Sequence, residues 1–269
     1  MGRLDGKVAF ITGAARGQGR AHAVRLAAEG ADIIAVDICA GVESIKLQPA
    51  TPDDLDETAR LVEKQGRAVV ARVADVRDLD GLRAAFEAGV AQLGRVDVVV
   101  ANAGVLNTAW TWEMTAEQWR SVIDVNLTGA FHTVKVSVPT MIAQGNGGSI
   151  IMTSSVAGLY GQPFTASYTA AKHGMVGLAR CLANELAEYS IRVNTIHPTG
   201  VNTEMYNEPD LFPLIQTRAE TLGPVFMNSL PTERMEPEDV AAVVAFLASD
   251  ESKYMTGTQI PVDCGKLNR

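Results

Sequence analysis

The sequence predicts an α/β domain: a doubly wound, seven-stranded parallel sheet with helices on both faces. Three observations predict it. Short β-branched runs alternate with longer amphipathic stretches along the 269 residues. Several runs are apolar throughout, as in IIAV, VVVA and SIIMT, which suits parallel strands covered on both sides. A glycine-rich turn joins the first run to the first amphipathic stretch.

Strands are predicted at Val8–Ile11, Asp32–Val36, Ala68–Val73, Val98–Ala101, Ser149–Thr153, Arg192–Ile196 and Gln259–Val262. Helices fill the gaps. Gln18–Glu29 places Ala21, Val24 and Ala28 near helical spacing. Pro52–Lys64 has Thr51 as N-cap, Pro52 at the first helical position and acids in the first turn, where they oppose the positive dipole end. Leu79–Leu93 is capped by Asp78. A long stretch from Ala116 follows Thr115, with Gln118 completing a capping box. Pro139 lies late in that stretch, and its missing N–H predicts a kink. Residues 167–188 and Pro237–Ala248 complete the set. Strand–helix–strand at this rhythm builds right-handed βαβ units. No repeat, low-complexity linker or composition shift divides the chain, so residues 1–269 are read as one domain. Two stretches break the rhythm, residues 38–51 and 200–236, and irregular segments of such length are usually functional or disordered.

Composition narrows the function. Hydrophobic residues are 47% and charged residues 20%, which excludes a disordered chain. The net charge of −8 disfavours nonspecific binding to nucleic acid or an anionic membrane, and leaves room for an anionic cofactor at a local site. Three widely spaced cysteines with no CxxC fit reduced thiols and a cytoplasmic setting. Four histidines without HxxxH or HExxH spacing predict no metal site. No run approaches the roughly 18 apolar residues of a membrane span, and the first residues lack the apolar core of a signal peptide.

The turn Thr12-Gly13-Ala14-Ala15-Arg16-Gly17-Gln18-Gly19 carries the first chemical signal. Glycines let backbone approach a ligand closely, and the N–H groups opening the next helix favour a pyrophosphate. Asp37 ends the second strand, 20 residues beyond Gly17, where a carboxylate accepts from ribose hydroxyls. Its charge repels a 2′-phosphate, so NAD is expected over NADP. Arg16 is the opposing signal, since a guanidinium in this loop could pair with that phosphate. These features together point to a Rossmann-type dinucleotide turn; the alternative is a structural glycine turn with an exposed Asp.

Tyr168 and Lys172 are four apart and share a helix face. A phenol ionises near pKa about 10, and an adjacent ammonium favours the phenolate. The pairing would make Tyr168 a usable general acid or base. Alone, such a pair is a common surface accident. Ser155 stands 13 residues earlier, just after the strand that ends at Thr153, where open-sheet sites form. Its neighbour Ser154 reads as a turn residue. Asn102 and Asn126, each taken alone, read more readily as structural amides.

Taken together, these residues resemble the short-chain dehydrogenase/reductase family, in its single-domain branch, from about residue 5 to about residue 266. Thr12-Gly13-x-x-x-Gly17-x-Gly19 is similar to its glycine pattern. Ala101-Asn102-Ala103-Gly104 is similar to its NAG segment, with Ala101 where Asn is common. Asn126, Ser155, Tyr168 and Lys172 match its catalytic tetrad. The resemblance implies that Tyr168 exchanges the substrate proton and Ser155 binds the substrate oxygen. It implies that Lys172 holds the nicotinamide ribose and depresses the Tyr168 pKa, while Asn126 holds a relay water. Gly13, Arg16, Gly17, Gln18, Gly19, Asp37 and Ile38 would meet the pyrophosphate and adenosine ribose. Asp75 and Val76 would meet the adenine, and Asn102, Ala103 and Gly104 the adenosine ribose side. Pro198, Val201 and Thr203 belong to a segment resembling the family's nicotinamide-binding stretch, with Thr199 departing from the commoner Pro-Gly pair.

The connector after Asp37 resembles that of the carveol dehydrogenase-like, mycofactocin-coupled subgroup. That resemblance implies tightly held NAD and an external redox carrier. Ile38, Val42, Ile45 and Leu47 are placed to bury cofactor surface at roughly 1.5–3 kcal/mol per well-buried side chain. Each ~1.4 kcal/mol is tenfold in affinity. The alternative is a tolerated surface loop. Residues 203–232 are apolar and lie where a substrate lid is expected; the alternative is a subunit contact. Trp110 and Tyr160 are further candidates for the pocket wall, while Trp112 and Trp119 read as ordinary packing. Ala170, Ala171, Gly174 and Gly177 form a small-residue face suited to internal packing or a subunit interface, and the family resemblance implies a homotetramer. The expected activity is NAD-dependent interconversion of a small hydrophobic secondary alcohol, such as carveol, and its ketone. A 3-oxoacyl-thioester reductase and a non-catalytic NAD-sensing protein are the rivals. Asp37 argues against the first, because that reaction usually uses NADPH, and the filled tetrad argues against the second.

Overall fold

The apolar runs become one parallel sheet in the computed structural model, which describes residues 2–268. Its strands are β1 Val8–Thr12, β2 Asp32–Asp37, β3 Val69–Val73, β4 Val98–Ala101, β5 Gly148–Thr153, β6 Ile191–Pro198 and β7 Gln259–Val262. They lie in the order β3-β2-β1-β4-β5-β6-β7. The helices are α1 Gly17–Ala28, α2 Pro52–Glu63, α3 Leu79–Leu93, α4 Ala116–Ile123, α5 Gly129–Gln144, α6 Ala166–Glu185, α7 Leu211–Gln216, α8 Ala219–Leu222 and α9 Pro237–Ala248.

Strand alternation divides the core in two. Ala9, Ile11, Ile33 and Ala35 point to one face and pack with Leu26 of α1, Val62 of α2 and Val244 of α9. Val8, Phe10, Ile34 and Val36 point to the other, against Phe86 of α3, Val134 of α5 and Met175 of α6. The chain leaves β1 toward β2 and β3, then returns to β4 on the far side. The βα loops therefore diverge at the carboxyl ends of β1 and β4, opening the crevice in which such sheets bind ligands.

The expected caps form. Thr51 with Asp54 and Thr115 with Gln118 make capping boxes, and the Asp78 side chain accepts from the Asp80 N–H. Pro139 does not end or break α5. Both Pro139 and Lys135, whose carbonyl loses its helical donor, lie on the exposed face, where water can satisfy that oxygen. A π-helical turn, Asp124–Thr128, instead interrupts the stretch and carries Asn126. The irregular region after β6 folds into α7, α8 and two 3-10 turns, Glu204–Asn207 and Gly223–Phe226.

Two tryptophans depart from expectation. Trp112 is 75% exposed and Trp119 42%, so neither is core packing. Trp112 stacks on Trp110 from the solvent side, with centroids 4.7 Å apart, and Trp119 lies on the outward face of α4. The small-residue face of α6 also divides. A Cβ on Gly174 would come within 2.8 Å of Leu127, a close internal contact, whereas Gly177 faces open space. No helix among the described residues is long and apolar enough to cross a membrane.

Candidate active site

The glycine turn is shaped by close approach. Gly13 and Gly17 have φ of 68° and 54°, in the left-handed region that disfavours side chains. A Cβ on Gly19 would sit 1.9 Å from the Gly13 carbonyl oxygen. The turn is locked to β4 by side chains. The Thr12 hydroxyl accepts from the N–H of Asn102 (3.2 Å) and Ala103 (3.3 Å). The Asn102 amide donates back to the carbonyls of Thr12 (3.0 Å) and Gly13 (3.3 Å). The NAG-like segment thus holds the cradle's shape as well as lining it.

Asp37 closes the far side. Its two carboxylate oxygens accept from the N–H groups of Ala15 and Cys39, each at 3.0 Å, which fixes the side chain while leaving lone pairs for a ligand. Arg16 differs from the opposing signal it carried in the sequence. Its guanidinium donates to the carbonyls of Gln48 and Pro49, so it fastens residues 38–51 over the cradle. Asp75 pairs with Arg77 at 2.6 Å, and buried Val76 packs beside it. The resulting cavity is about 420 Å³, lined by Gly13, Arg16, Gly17, Gln18, Gly19, Asp37, Asp75, Val76, Asn102, Ala103 and Gly104. Ile38, Val42, Ile45 and Leu47 form its cover. Ile45 reaches further, into the apolar cluster around Tyr168 and Met205. The cover is tied down by Ser44 on Ser121 (3.1 Å) and by Lys46 on Asp210 (2.5 Å) across the cleft.

A second cavity of about 700 Å³ adjoins the first and shares Gln18, Asn102, Gly104, Thr203 and Met205 with it. Ser155, just beyond β5, and Tyr168 and Lys172, on α6, line this cavity together with Pro198 and Val201. Met205, Leu211, Phe212 and Phe226 supply apolar wall from the expected lid. Trp110 does not reach it; its ring packs edge-on to Phe164 instead, with centroids 4.8 Å apart. Tyr160 also stays outside, its hydroxyl donating to Gln162 at 3.0 Å.

The electrostatics correct one expectation. Burial pushes the Tyr168 phenol up to about 12, with the Ser155 hydroxyl pulling the other way. Burial brings the Lys172 ammonium down to about 7. Lys172 Nζ donates to the Thr153 carbonyl at 2.6 Å and lies 5.3 Å from the Tyr168 ring centroid. Its Nζ thus meets the ring and a backbone oxygen, and burial is the dominant influence at the phenol. Asn126 is locked in place. It is fully buried, and its amide pairs with the Val105 N–H (2.8 Å) and carbonyl (2.9 Å). It stands behind Gly104, where a Cβ would be 3.5 Å from Asn126 Oδ1 and 3.7 Å from Lys172 Nζ.

One supporting group, His197, escaped the sequence reading. His197 lies 2.6 Å from the Ser155 carbonyl through Nδ1 and 2.7 Å from Thr195 Oγ1 through Nε2. A carbonyl only accepts, so Nδ1 carries the proton and Nε2 accepts from Thr195. Burial keeps the ring neutral, down to about 4. The end of β5 is thereby anchored beneath Ser155. Ser154 is structural, donating to the Lys172 carbonyl at 3.1 Å. A strand ending in His-Pro was the available signal for His197.

The residues present fit a dinucleotide. The glycine cradle excludes side chains where a pyrophosphate would lie, and Asp37 offers acceptors rather than a phosphate partner. Buried Gln18 Oε1 and Thr153 Oγ1, both on residues lining the second cavity, have no partner among the described residues. Such groups are costly unless a ligand or water meets them.

Comparison with known proteins agrees. A family model described as enoyl-(acyl carrier protein) reductase matches residues 13–266. An uncharacterized NAD-dependent oxidoreductase of Mycobacterium tuberculosis is 53% identical, covering 99% of this chain and 98% of that one. A (-)-trans-carveol dehydrogenase of Rhodococcus erythropolis is 46% identical, covering 98% of this chain and 99% of that one. A carveol dehydrogenase structure from Mycobacterium avium in complex with NAD superposes with TM-score 0.95 and 48% identity over 100% of both chains. Fold and site define a nucleotide-dependent oxidoreductase. The chain belongs to the short-chain dehydrogenase/reductase family, and its cofactor is NAD.

Proposed function

We propose that the protein interconverts an apolar secondary alcohol, of the class to which carveol belongs, and its ketone. The observation that carries this reading is the convergence of Ser155, Tyr168 and Lys172 on a cavity with apolar walls that shares Gly104 and Thr203 with the nucleotide cradle. The kinship with carveol dehydrogenases supports it.

NAD, when bound, accepts or delivers the hydride. Gly13, Gly17, Gln18 and Gly19 would hold its pyrophosphate, Asp37 and Ile38 the adenosine ribose, and Asp75 and Val76 the adenine. Asn102, Ala103 and Gly104 would support the adenosine ribose side. Pro198, Val201 and Thr203 would hold the nicotinamide end, and Lys172 its ribose. Arg16 acts through the cover rather than on the nucleotide. Tyr168 gives its proton to the carbonyl oxygen in reduction and takes it back in oxidation, while the Ser155 hydroxyl holds that oxygen. A buried phenol with a pKa of about 12 is a ready donor at neutral pH, and oxidation draws on the ionised form, which grows as pH rises. Asn126 positions Gly104 and Val105 beside Lys172.

Residues 38–51 act as a cover that retains NAD. Its electrons then leave to an external carrier of the mycofactocin type, from a cytoplasmic homotetramer with 203–232 as its substrate lid. Native mass spectrometry after exhaustive dialysis, paired with carveol oxidation by an artificial electron acceptor, tests the reading. Wild type and Tyr168→Phe both retain NAD, and the variant loses about 10²–10⁴-fold in turnover. Turnover surviving in Tyr168→Phe sinks the acid–base assignment; NAD lost on dialysis sinks the cover.

A further inference from the structure

An apolar substrate cavity has no evident use for an ammonium, yet one stands on its wall. Lys266 opens the short C-terminal turn Lys266–Asn268, and its side chain lines the same cavity as Ser155 and Tyr168. The Nζ lies 5.5 Å from the Phe226 ring centroid and 5.7 Å from that of Tyr160. Its one hydrogen bond among the described residues is a long one, 3.4 Å to the Phe226 carbonyl. An ammonium has three donors, so most of its capacity is unspent.

The carboxylates nearby are occupied elsewhere. Asp263 acts on Lys266 through space, but its own oxygens accept from the N–H of Gly265 (3.0 Å) and Leu267 (2.8 Å). It shapes the turn that projects Lys266. Glu208 and Glu233 also line the cavity. Glu208 accepts from the Thr108 hydroxyl at 2.6 Å and the Asp210 N–H at 3.1 Å, and Glu233 from the Tyr206 hydroxyl at 2.9 Å. Neither figures among the charges acting on Lys266. Burial holds the ammonium down to about 8, with the Asp263 charge pulling the other way. Aromatic faces stabilise such a cation only in part, and a carboxylate would do so more fully.

We propose that Lys266 is a specificity-determining residue that binds a carboxylate carried by the substrate, making apolar hydroxy acids and keto acids preferred over plain alcohols. This rests on the alcohol dehydrogenase reading for the reacting carbinol and adds a second anchor on the same molecule. The carbinol meets Tyr168 and Ser155, the apolar body meets the lid, and the carboxylate meets Lys266. Two polar anchors also fix which face of the carbinol is presented to the cofactor.

The test uses the protein with its NAD. The ratio of kcat/KM for 4-hydroxycyclohexanecarboxylate to that for 4-methylcyclohexanol is measured in wild type, Lys266→Met and Lys266→Arg. Binding of cyclohexanecarboxylate, which has no hydroxyl to oxidise, is measured in parallel by calorimetry. Wild type is expected to favour the acid by roughly tenfold or more, the effect of one charge-assisted hydrogen bond. The ratio falls to near one in Lys266→Met and persists in Lys266→Arg, and cyclohexanecarboxylate binding follows the same pattern. No preference in wild type, or a preference surviving in Lys266→Met, overturns the proposal. Failure to oxidise either alcohol overturns the alcohol dehydrogenase reading instead, and the calorimetry still decides whether Lys266 takes a carboxylate.

Discussion

The two ends of the cleft are made of different materials. The nucleotide end is backbone: a glycine turn clamped between Thr12, Asn102 and Asp37, with N–H groups and carbonyls doing the positioning. The proposed substrate end is side chains, Ser155 beyond β5, Tyr168 and Lys172 on α6, and apolar wall carried on short helices and 3-10 turns between β6 and α9. The first tolerates almost no change in shape, because hydrogen bonds and steric exclusion hold it from several directions. The second can exchange one apolar residue for another without disturbing the sheet. Cofactor choice therefore belongs to the fold's geometry of turn and strand end, and substrate choice to residues whose identity the fold leaves open. Residues 38–51 join the two ends, with Arg16 fastening them on one side and Lys46 reaching Asp210 on the other. The Lys46–Asp210 bridge is exposed, so it adds direction more than stability.

The contrast can be broken from either end. The largest effect is expected at the cradle. Gly19→Ala forces a Cβ to 1.9 Å from the Gly13 carbonyl, and the backbone must move to relieve it. NAD affinity should fall about 100-fold by titration, with circular dichroism confirming the fold. Affinity within a few-fold of wild type would mean that the turn is softer than its contacts imply.

The next test follows pH. His22, on α1 behind the glycine turn, is fully buried with neither ring nitrogen partnered among the described residues, and burial drives it from 6.5 down to about 3. The unfolded chain takes up its proton first, so the stability this neutral ring permits is present above 6.5 and is lost as pH falls toward 3. Between about pH 8 and about pH 5 the wild type should lose roughly 2 kcal/mol more than His22→Leu. Chemical denaturation at both pH values reads this difference, and parallel pH slopes for the two proteins would refute it.

The smallest effect is expected at the mouth. Phe226 stacks toward Phe164, with centroids 6.4 Å apart, and forms apolar wall. Phe226→Ala should raise KM for carveol about tenfold, the value of a partly buried ring. An unchanged KM would transfer these residues from lid to subunit contact.

Much of this was legible in the chain. The strand candidates recur within a few residues of their expected bounds, because a strand covered on both faces must be apolar throughout, and that pattern survives any arrangement of its neighbours. The cradle was legible for a related reason: Gly13, Gly17, Gly19 and Asp37 lie close in sequence, and their local backbone states their purpose. The same holds for the caps at Thr51, Asp78 and Thr115. Arg16 was ambiguous because a guanidinium reaches in many directions, and only the folded connector showed Gln48 and Pro49 beneath it. Trp112 and Trp119 were misread because size alone suggests burial, whereas exposure depends on which helix face meets solvent.

The sequence by itself determined the sheet, its parallel sense and the nucleotide turn, since these depend on periodicity and local geometry, while Ser155, Tyr168 and Lys172 stood out only through the family resemblance. The tertiary structure decided what depends on contacts between distant segments. Desolvation raised the Tyr168 phenol and lowered the Lys172 ammonium, because the fold buries both. The π-helical turn aimed Asn126 at Val105. The C-terminal turn brought Lys266 beneath Phe226 and Tyr160, 98 residues beyond Tyr168 in the chain and on the wall of the same cavity. Burial and long-range electrostatics depend on what surrounds a group in three dimensions, and no local pattern carries that information.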